Sequence, residues 1–229
     1  MEAAVARTAA RYRRCARFTR HYVASKLKRD PIHSVLLEMA QVAPFGDMVD
    51  IGCGRGQMTV ALLEAGLARS CIALDWAEAS LADLREAGQG LPIETIARDL
   101  ARDFRVPSAD TALIIDVLYT MDRNAALSLL NAAADAARER VFVRSLDRAA
   151  GWRGCFALAL EHAARPFWPH AGARVDPLPP TVLAAALRQR GFQTRIMPCW
   201  VGTPFANVLI MAERQPVRDL EEHSGFQKG

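Results

Sequence analysis

The densest chemistry in the chain lies at residues 48–66, MVDIGCGRGQMTVALLEAG. A short apolar run ends at Asp50, glycines follow at Gly52, Gly54 and Gly56, and Met58, Val60, Ala61, Leu62 and Leu63 mark the buried positions of a helix. Strand, glycine turn and helix in that order make a backbone cradle. Glycine reaches conformations closed to other residues and lets a ligand lie against the main chain. The helix start aims unpaired N–H groups and a positive dipole end at whatever sits there. A second carboxylate, Asp75, closes the run SCIALD about 20 residues further on, where Rossmann-like folds place an acid that accepts hydrogen bonds from ribose hydroxyls.

Dinucleotides and S-adenosyl ligands both use such a cradle, and the spacing separates them. A nicotinamide-type G-x-G-x-x-G needs its third glycine at position 57, which is Gln57; the glycine comes one place early, at Gly56, and an acid stands two places before the first glycine. The pattern Asp50-x-Gly52-x-Gly54-x-Gly56 resembles the nucleotide-binding motif of class I S-adenosylmethionine-dependent methyltransferases. The resemblance implies S-adenosyl-L-methionine as cofactor, with Asp50 near its methionine moiety and Gly52 and Gly54 under its backbone approach. It also implies that Asp99 and Leu100, in Ala97-Arg98-Asp99-Leu100, meet the adenine, and that Asp116-Val117-Leu118-Tyr119 flanks the methyl group. Asp116 then counts with the cofactor residues, and Tyr119 lines the substrate pocket or packs in the core. Cys53 suits the turn as a small residue rather than as a nucleophile. Trp76 lies against the adenine or packs as an ordinary indole. The proline signature of DNA amine methyltransferases is missing after Asp116, which argues against nucleic acid as acceptor.

The elements that position these residues alternate strand and helix, so the expected fold class is α/β. It is a Rossmann-like class I methyltransferase fold with a central, mostly parallel seven-stranded sheet, helices on both faces and an antiparallel edge hairpin. Strands are expected at 48–50, 70–75, 93–96, 111–117, 140–145, 192–197 and 207–213, and helices at 57–65, 79–87, 124–138 and 182–190, the last with Thr181 as its cap and Gly191 at its end. Residues 1–34 form an N-terminal basic amphipathic helical segment, 35–213 the cofactor-binding domain and 214–229 a polar tail. Within the domain, 146–180 carries Trp152, Phe156, His162, Phe167, Trp168 and His170 and reads as a substrate lid, with a helix at about 152–164. His162 is the candidate general base, ahead of His170, because imidazole titrates near neutral pH.

A chain of 229 residues with 51% hydrophobic and 24% charged residues is ordinary for a soluble globular domain. No apolar run reaches the roughly 18 residues of a membrane span, so the expected address is the cytoplasm or the inner face of its membrane. Five scattered cysteines without a C-x-x-C pair argue against a disulfide framework and against a metal site. The net charge of +4 is uneven: residues 1–30 carry a local +7 and the remainder −3. Along Ala3 to Arg29, a helix interrupted at most once, Tyr12, Cys15, Ala16, Thr19, Tyr22, Val23 and Leu27 make one stripe, with Arg7, Arg11, Arg14, Arg17 and Lys28 largely off it. That basic face is a solvated surface, a contact for anionic lipid or nucleic acid, or a cover for the cofactor pocket. Arg144, Arg148 and Arg153 either bind an anionic acceptor or make surface ion pairs.

The opening YRRCARFTRHYVASKLKRDP and the ending CWVGTPFANVLIMA look like bacterial methyltransferases of fatty-acid or polyketide-type pathways, including aryl-polyene-like ones. This likeness implies methylation of a small phenolic or acyl acceptor, preferably on oxygen, free or held on an acyl carrier protein whose acidic surface suits the basic helix. An RNA or protein methyltransferase and a non-catalytic cofactor-binding accessory protein are the alternatives.

Overall fold

The computed structural model describes residues 2–151 and 177–215. The N-terminal segment is α1 (Glu2–Arg11), a 3-10 turn (Tyr12–Arg14) and α2 (Arg17–Arg29), so the interruption falls at Cys15 and Ala16. Asp30 and Pro31 then restart the chain as α3 (Pro31–Val42): the Asp30 carboxylate accepts the Ile32 N–H at 3.3 Å, and proline at the first helical position loses no hydrogen bond.

Beyond it the chain alternates β1 (Asp47–Ile51), α4 (Gln57–Glu64), β2 (Ser70–Asp75), α5 (Glu78–Ala87), β3 (Ile93–Ala97), β4 (Ala109–Ile115), a 3-10 turn (Leu118–Thr120), α6 (Arg123–Ala136) and β5 (Ala137–Leu146). After the interval come α7 (Pro180–Arg188), β6 (Phe192–Pro198) and β7 (Asn207–Arg214). The seven strands lie in the order β3-β2-β1-β4-β5-β7-β6. Pairings from β3 through β5 are parallel, and β7 is antiparallel to both β5 and β6. The chain winds outward from the centre in both directions, so β1 and β4 are neighbours whose connections leave on opposite sides, and a crevice opens above their C-terminal ends.

Period-two alternation distributes the sheet between two cores. Val49, Ile51, Ile114 and Val143 face α6 and α7 with Leu129, Leu130, Leu183 and Leu187. Met48, Ala73, Leu113 and Phe142 face α3, α4 and α5 with Leu36, Leu62, Leu81 and Leu84. Each fully buried side chain of this size contributes about 1.5–3 kcal/mol. On the second side, Tyr12, Val23 and Leu27 bury the stripe of the N-terminal segment against the same core, while Ala16 and Tyr22 stay exposed.

Three local expectations are corrected. The strand expected to reach Val117 ends at Ile115, because Asp116 takes a left-handed backbone with φ of 63°. Helix α7 starts at Pro180 and has no side-chain cap, so Thr181 lies inside its first turn. Helix α6 runs into β5 at Ala137 with no loop between them, two residues before the expected helix end.

Candidate active site

One cleft follows the C-terminal edge of the sheet and measures about 2170 Å³. A drug-sized ligand takes roughly 300–1,000 Å³, so there is room for two ligands side by side.

Its β1–β2–β3 half is built on the glycine turn. The amides of Gly52 and Cys53 both donate to the Leu74 carbonyl, at 2.7 and 3.0 Å, which ties the turn to β2. Gly52 and Gly56 have φ of 74° and 70°, and a Cβ would strike Val117 and Leu84 at 2.3 Å. Gly54 differs: its φ is 55°, but a Cβ there would meet nothing within 4 Å. Its missing side chain leaves space on the cleft side rather than space for the protein. The Gly54 amide donates to Asp75 Oδ2 at 2.8 Å, and the Ala77 amide to Asp75 Oδ1 at 2.8 Å. Both oxygens are thereby fixed at the tip of β2, and each keeps a lone pair for a donor from the cleft.

Beneath the turn, Asp50 is buried and receives the Thr59 hydroxyl at 2.6 Å. Burial pushes its carboxyl up to about 6, Thr59 opposes the rise and the neighbouring Asp75 charge adds to it. Burial likewise pushes the Cys53 thiol well above its usual range, which keeps it protonated and inert. Gln57, the first residue of α4, carries a buried Oε1 with no partner among the described residues. Asp99 and Leu100 line the cleft at the exit of β3; the Asp99 carboxylate accepts the Ala101 amide at 3.1 Å and pairs with Arg102 at 3.6 Å. Trp76 is 41% exposed on the same rim.

The β4–β5 half has another character. Arg144, on β5, is 2% exposed and lies between two carboxylates. Its Nε donates to Asp116 Oδ1 at 2.9 Å and its Nη2 to Asp30 Oδ2 at 2.8 Å, with further contacts from Nη1 to Asp30 and from Nη2 to Asp116. Lys26 Nζ reaches Asp30 Oδ2 at 3.3 Å from the last turn of α2. Burial acts to raise the Asp30 carboxyl, but Arg144 and Lys26 hold it well below the usual carboxylate range. Behind it, burial pushes His33 down to about 4, so its ring is neutral. Tyr119 is buried against Leu146 and Phe205, and these three form an apolar wall beside the quartet.

Helix α2 roofs the cleft. The Tyr12 hydroxyl donates to the Arg55 carbonyl at 2.7 Å, and the Arg55 guanidinium bonds Thr19 and Asp83 and lies over the rings of Phe18 and Tyr22. The basic N-terminal segment is therefore tied to the glycine turn itself.

The structure places Asp50, Gly52, Cys53, Gly54, Asp75, Trp76, Asp99, Leu100, Asp116 and Tyr119 around this one cleft. His162, and the expected helix at 152–164 in the lid, lie outside the described residues. Arg144 departs from both expectations for it, since two carboxylates occupy it inside the protein and it is neither an open anion site nor a surface pair. Sequence reasoning did not assign Lys26, Asp30 or His33 to the site. One signal was available: an arginine inside the apolar strand VFVRSL is a buried charge in want of partners.

The family model described as a methyltransferase domain matches residues 48–140. No curated protein sequence matches the chain. Among solved structures, the chain is similar to an O-methyltransferase family protein from Burkholderia thailandensis, with TM-score 0.65 and 17% identity over 85% of this chain and 57% of that one. It is similar to magnesium protoporphyrin IX methyltransferase from Synechocystis PCC 6803, solved with S-adenosylhomocysteine, with TM-score 0.64 and 17% identity over 90% of this chain and 94% of that one. It is also similar to the N-methyltransferase NodS from Bradyrhizobium japonicum WM9, with TM-score 0.61 and 14% identity over 83% of this chain and 91% of that one. The chain thus spans a little over half of the Burkholderia protein and nearly all of the other two. The strand order and the glycine turn are those of the Rossmann-like methyltransferase fold, and the match to a methyltransferase domain covers β1 through the start of β5.

Proposed function

We propose that this protein transfers the methyl group of S-adenosylmethionine to an oxygen of a small phenolic or acyl acceptor, free or held on an acidic acyl carrier protein. The observation that carries the cofactor assignment is the Gly54–Asp75 unit: an open glycine face beside a carboxylate fixed by two amides, at the helix start of α4. The residues fit the group. Gly52 and Gly54 would admit its backbone approach, Asp75 would take its ribose hydroxyls, the orphaned Gln57 oxygen supplies one more acceptor, and Asp99 with Leu100 would border the adenine.

When bound, the cofactor supplies a methyl carbon made electrophilic by a positive sulfonium, so no metal or covalent enzyme intermediate is required. The chain's own part is to hold the acceptor oxygen in line and to keep water from competing. Val117, Tyr119, Leu146 and Phe205 present apolar surface on the acceptor half of the cleft, which suits an aromatic or acyl body. The ionic quartet beside them suits a polar reacting end.

Calorimetric titration of S-adenosylmethionine and S-adenosylhomocysteine into wild type and Asp75→Ala tests the cofactor assignment. Micromolar binding that weakens at least tenfold in the variant is expected, and absence of saturable binding to wild type would overturn the reading. Labelled cofactor with cell extract then tests the acceptor: label in a phenolic or acyl product is expected, and label confined to RNA or protein side chains would refute it.

A further inference from the structure

Apart from Asp116, the expected cofactor residues lie over β1, β2 and β3, which leaves the ends of β4 and β5 for the acceptor. Four charged side chains meet there: Asp116, after β4; Arg144, on β5; Asp30, at the α2–α3 corner; and Lys26, on α2. Their hydrogen-bonding capacity is unequal. Arg144 is spent on two carboxylates and is 2% exposed. Asp30 and Asp116 are acceptors already engaged by that guanidinium. Lys26 has a single hydrogen bond among the described residues, at 3.3 Å, its side chain remains 38% exposed, and it lines the cleft together with Asp116 and Tyr119. An ammonium carries three donors. At least two of them are left for a molecule in the acceptor half.

We propose that Lys26 is an acceptor-binding residue whose ammonium donates a hydrogen bond to the reacting oxygen, and that this selects acceptors whose oxygen carries negative charge when it attacks, such as phenols and enols. The proposal rests on the methyltransferase reading above. The groups around Lys26 fix its role. Asp30 and Asp116 face it from two elements, Arg144 lies behind them on a third, and Tyr22 is on its own helix. Burial acts to lower its pKa, but the two carboxylates more than compensate and hold it above the usual lysine value. Lys26 therefore stays protonated and serves as a donor, not as a base. The acceptor proton goes to water, the oxygen keeps the electron pair that would form the new O–C bond while the methyl carbon–sulfur bond breaks and leaves its pair on the sulfur of S-adenosylhomocysteine, and the ammonium offsets the oxygen's charge in a setting less screened than bulk solvent. Asp30 and Arg144 act through Lys26 as positioning residues.

The probe is 4-nitrophenol, whose phenolate absorbs in the visible and whose neutral form does not. It is titrated with pH in the presence of wild type saturated with S-adenosylhomocysteine, and with Lys26→Met and Lys26→Arg. Wild type is expected to ionise the bound probe about ten times more readily than water does, a downward shift of about one pH unit. Lys26→Met should abolish the shift and Lys26→Arg should retain most of it. A bound probe that titrates as it does in water, no saturable probe binding to wild type, or Lys26→Met behaving as wild type would each overturn the proposal. Calorimetry with S-adenosylhomocysteine on the same samples separates the two readings. Retained cofactor binding with no probe shift refutes the role of Lys26 alone, whereas a wild type that does not bind the cofactor removes the reading beneath it.

Discussion

Asp50 and His33 are buried titratable residues with opposite effects on stability over nearly the same pH range. Asp50 is raised from 3.8 to about 6 in the fold, so between those values the folded state holds a proton that the unfolded chain has released, and stability falls as pH rises. His33 is lowered from 6.5 to about 4, so the unfolded chain holds the extra proton and stability rises with pH. The two slopes oppose one another between pH 4 and 6. Denaturant melts of the ligand-free protein across this range should show a shallow dependence in wild type, a rising one in Asp50→Asn and a falling one in His33→Gln. At Gly54, alanine meets no protein atom but must adopt the left-handed backbone, at a cost of about 1–2 kcal/mol, and fills the cofactor side. Gly54→Ala should therefore fold and weaken S-adenosylmethionine binding by at least tenfold in calorimetry.

The α2–α3 corner joins the N-terminal helices to the sheet through one buried charge. Asp30→Asn leaves Arg144 with Asp116 alone, and breaking a buried pair in this way costs about 3–5 kcal/mol, measurable as a lowered urea midpoint. In wild type the Asp30 contribution is present above the ordinary carboxylate value of 3.8 and is lost as pH falls below it, a loss the variant should not show. The element order was legible in the sequence because each buried strand is a short apolar run between turn residues; β2, Ser70–Asp75, was read to the residue. The passage from α6 to β5 was not, since no glycine or proline separates them and the boundary is set by pairing with β4 at Ala137 and Arg140. That the glycines and acids of the β1–β2–β3 half gather at one cleft was equally legible, because they are neighbours in sequence or stand at a fixed spacing. The β4–β5 half was not, because Asp30 and Arg144 are 114 positions apart, and in the sequence Asp30 marks only the break before Pro31 while Arg144 reads as an anion-binding or surface-paired arginine.

Across the molecule, positive charge gathers on one face. Residues 3–29 contain no acid, and Arg13, Arg17, Arg20, Lys28 and Arg29 have no ion-pair partner among the described residues. Phe18 stands 69% exposed among them on the rim of the cleft. If an acidic carrier delivers the acceptor here, Arg17→Glu combined with Arg20→Glu should slow transfer to a carrier-bound acceptor about tenfold at low salt. Cofactor binding and transfer to the free acceptor should stay within about twofold; equal slowing of both acceptors would count against docking at this face. The described residues hold no helix long and apolar enough to cross a membrane. The 114 positions that separate Asp30 from Arg144 also set a clock. At a synthesis rate of about 5–20 residues per second, the α2–α3 corner waits on the order of ten seconds before the strand that will tie it down has been made. A translational pause ahead of β5 lengthens that wait, and throughout it the Asp30 carboxylate lacks the guanidinium that will pair with it, while Arg55 and Asp83 already hold α2 at Thr19.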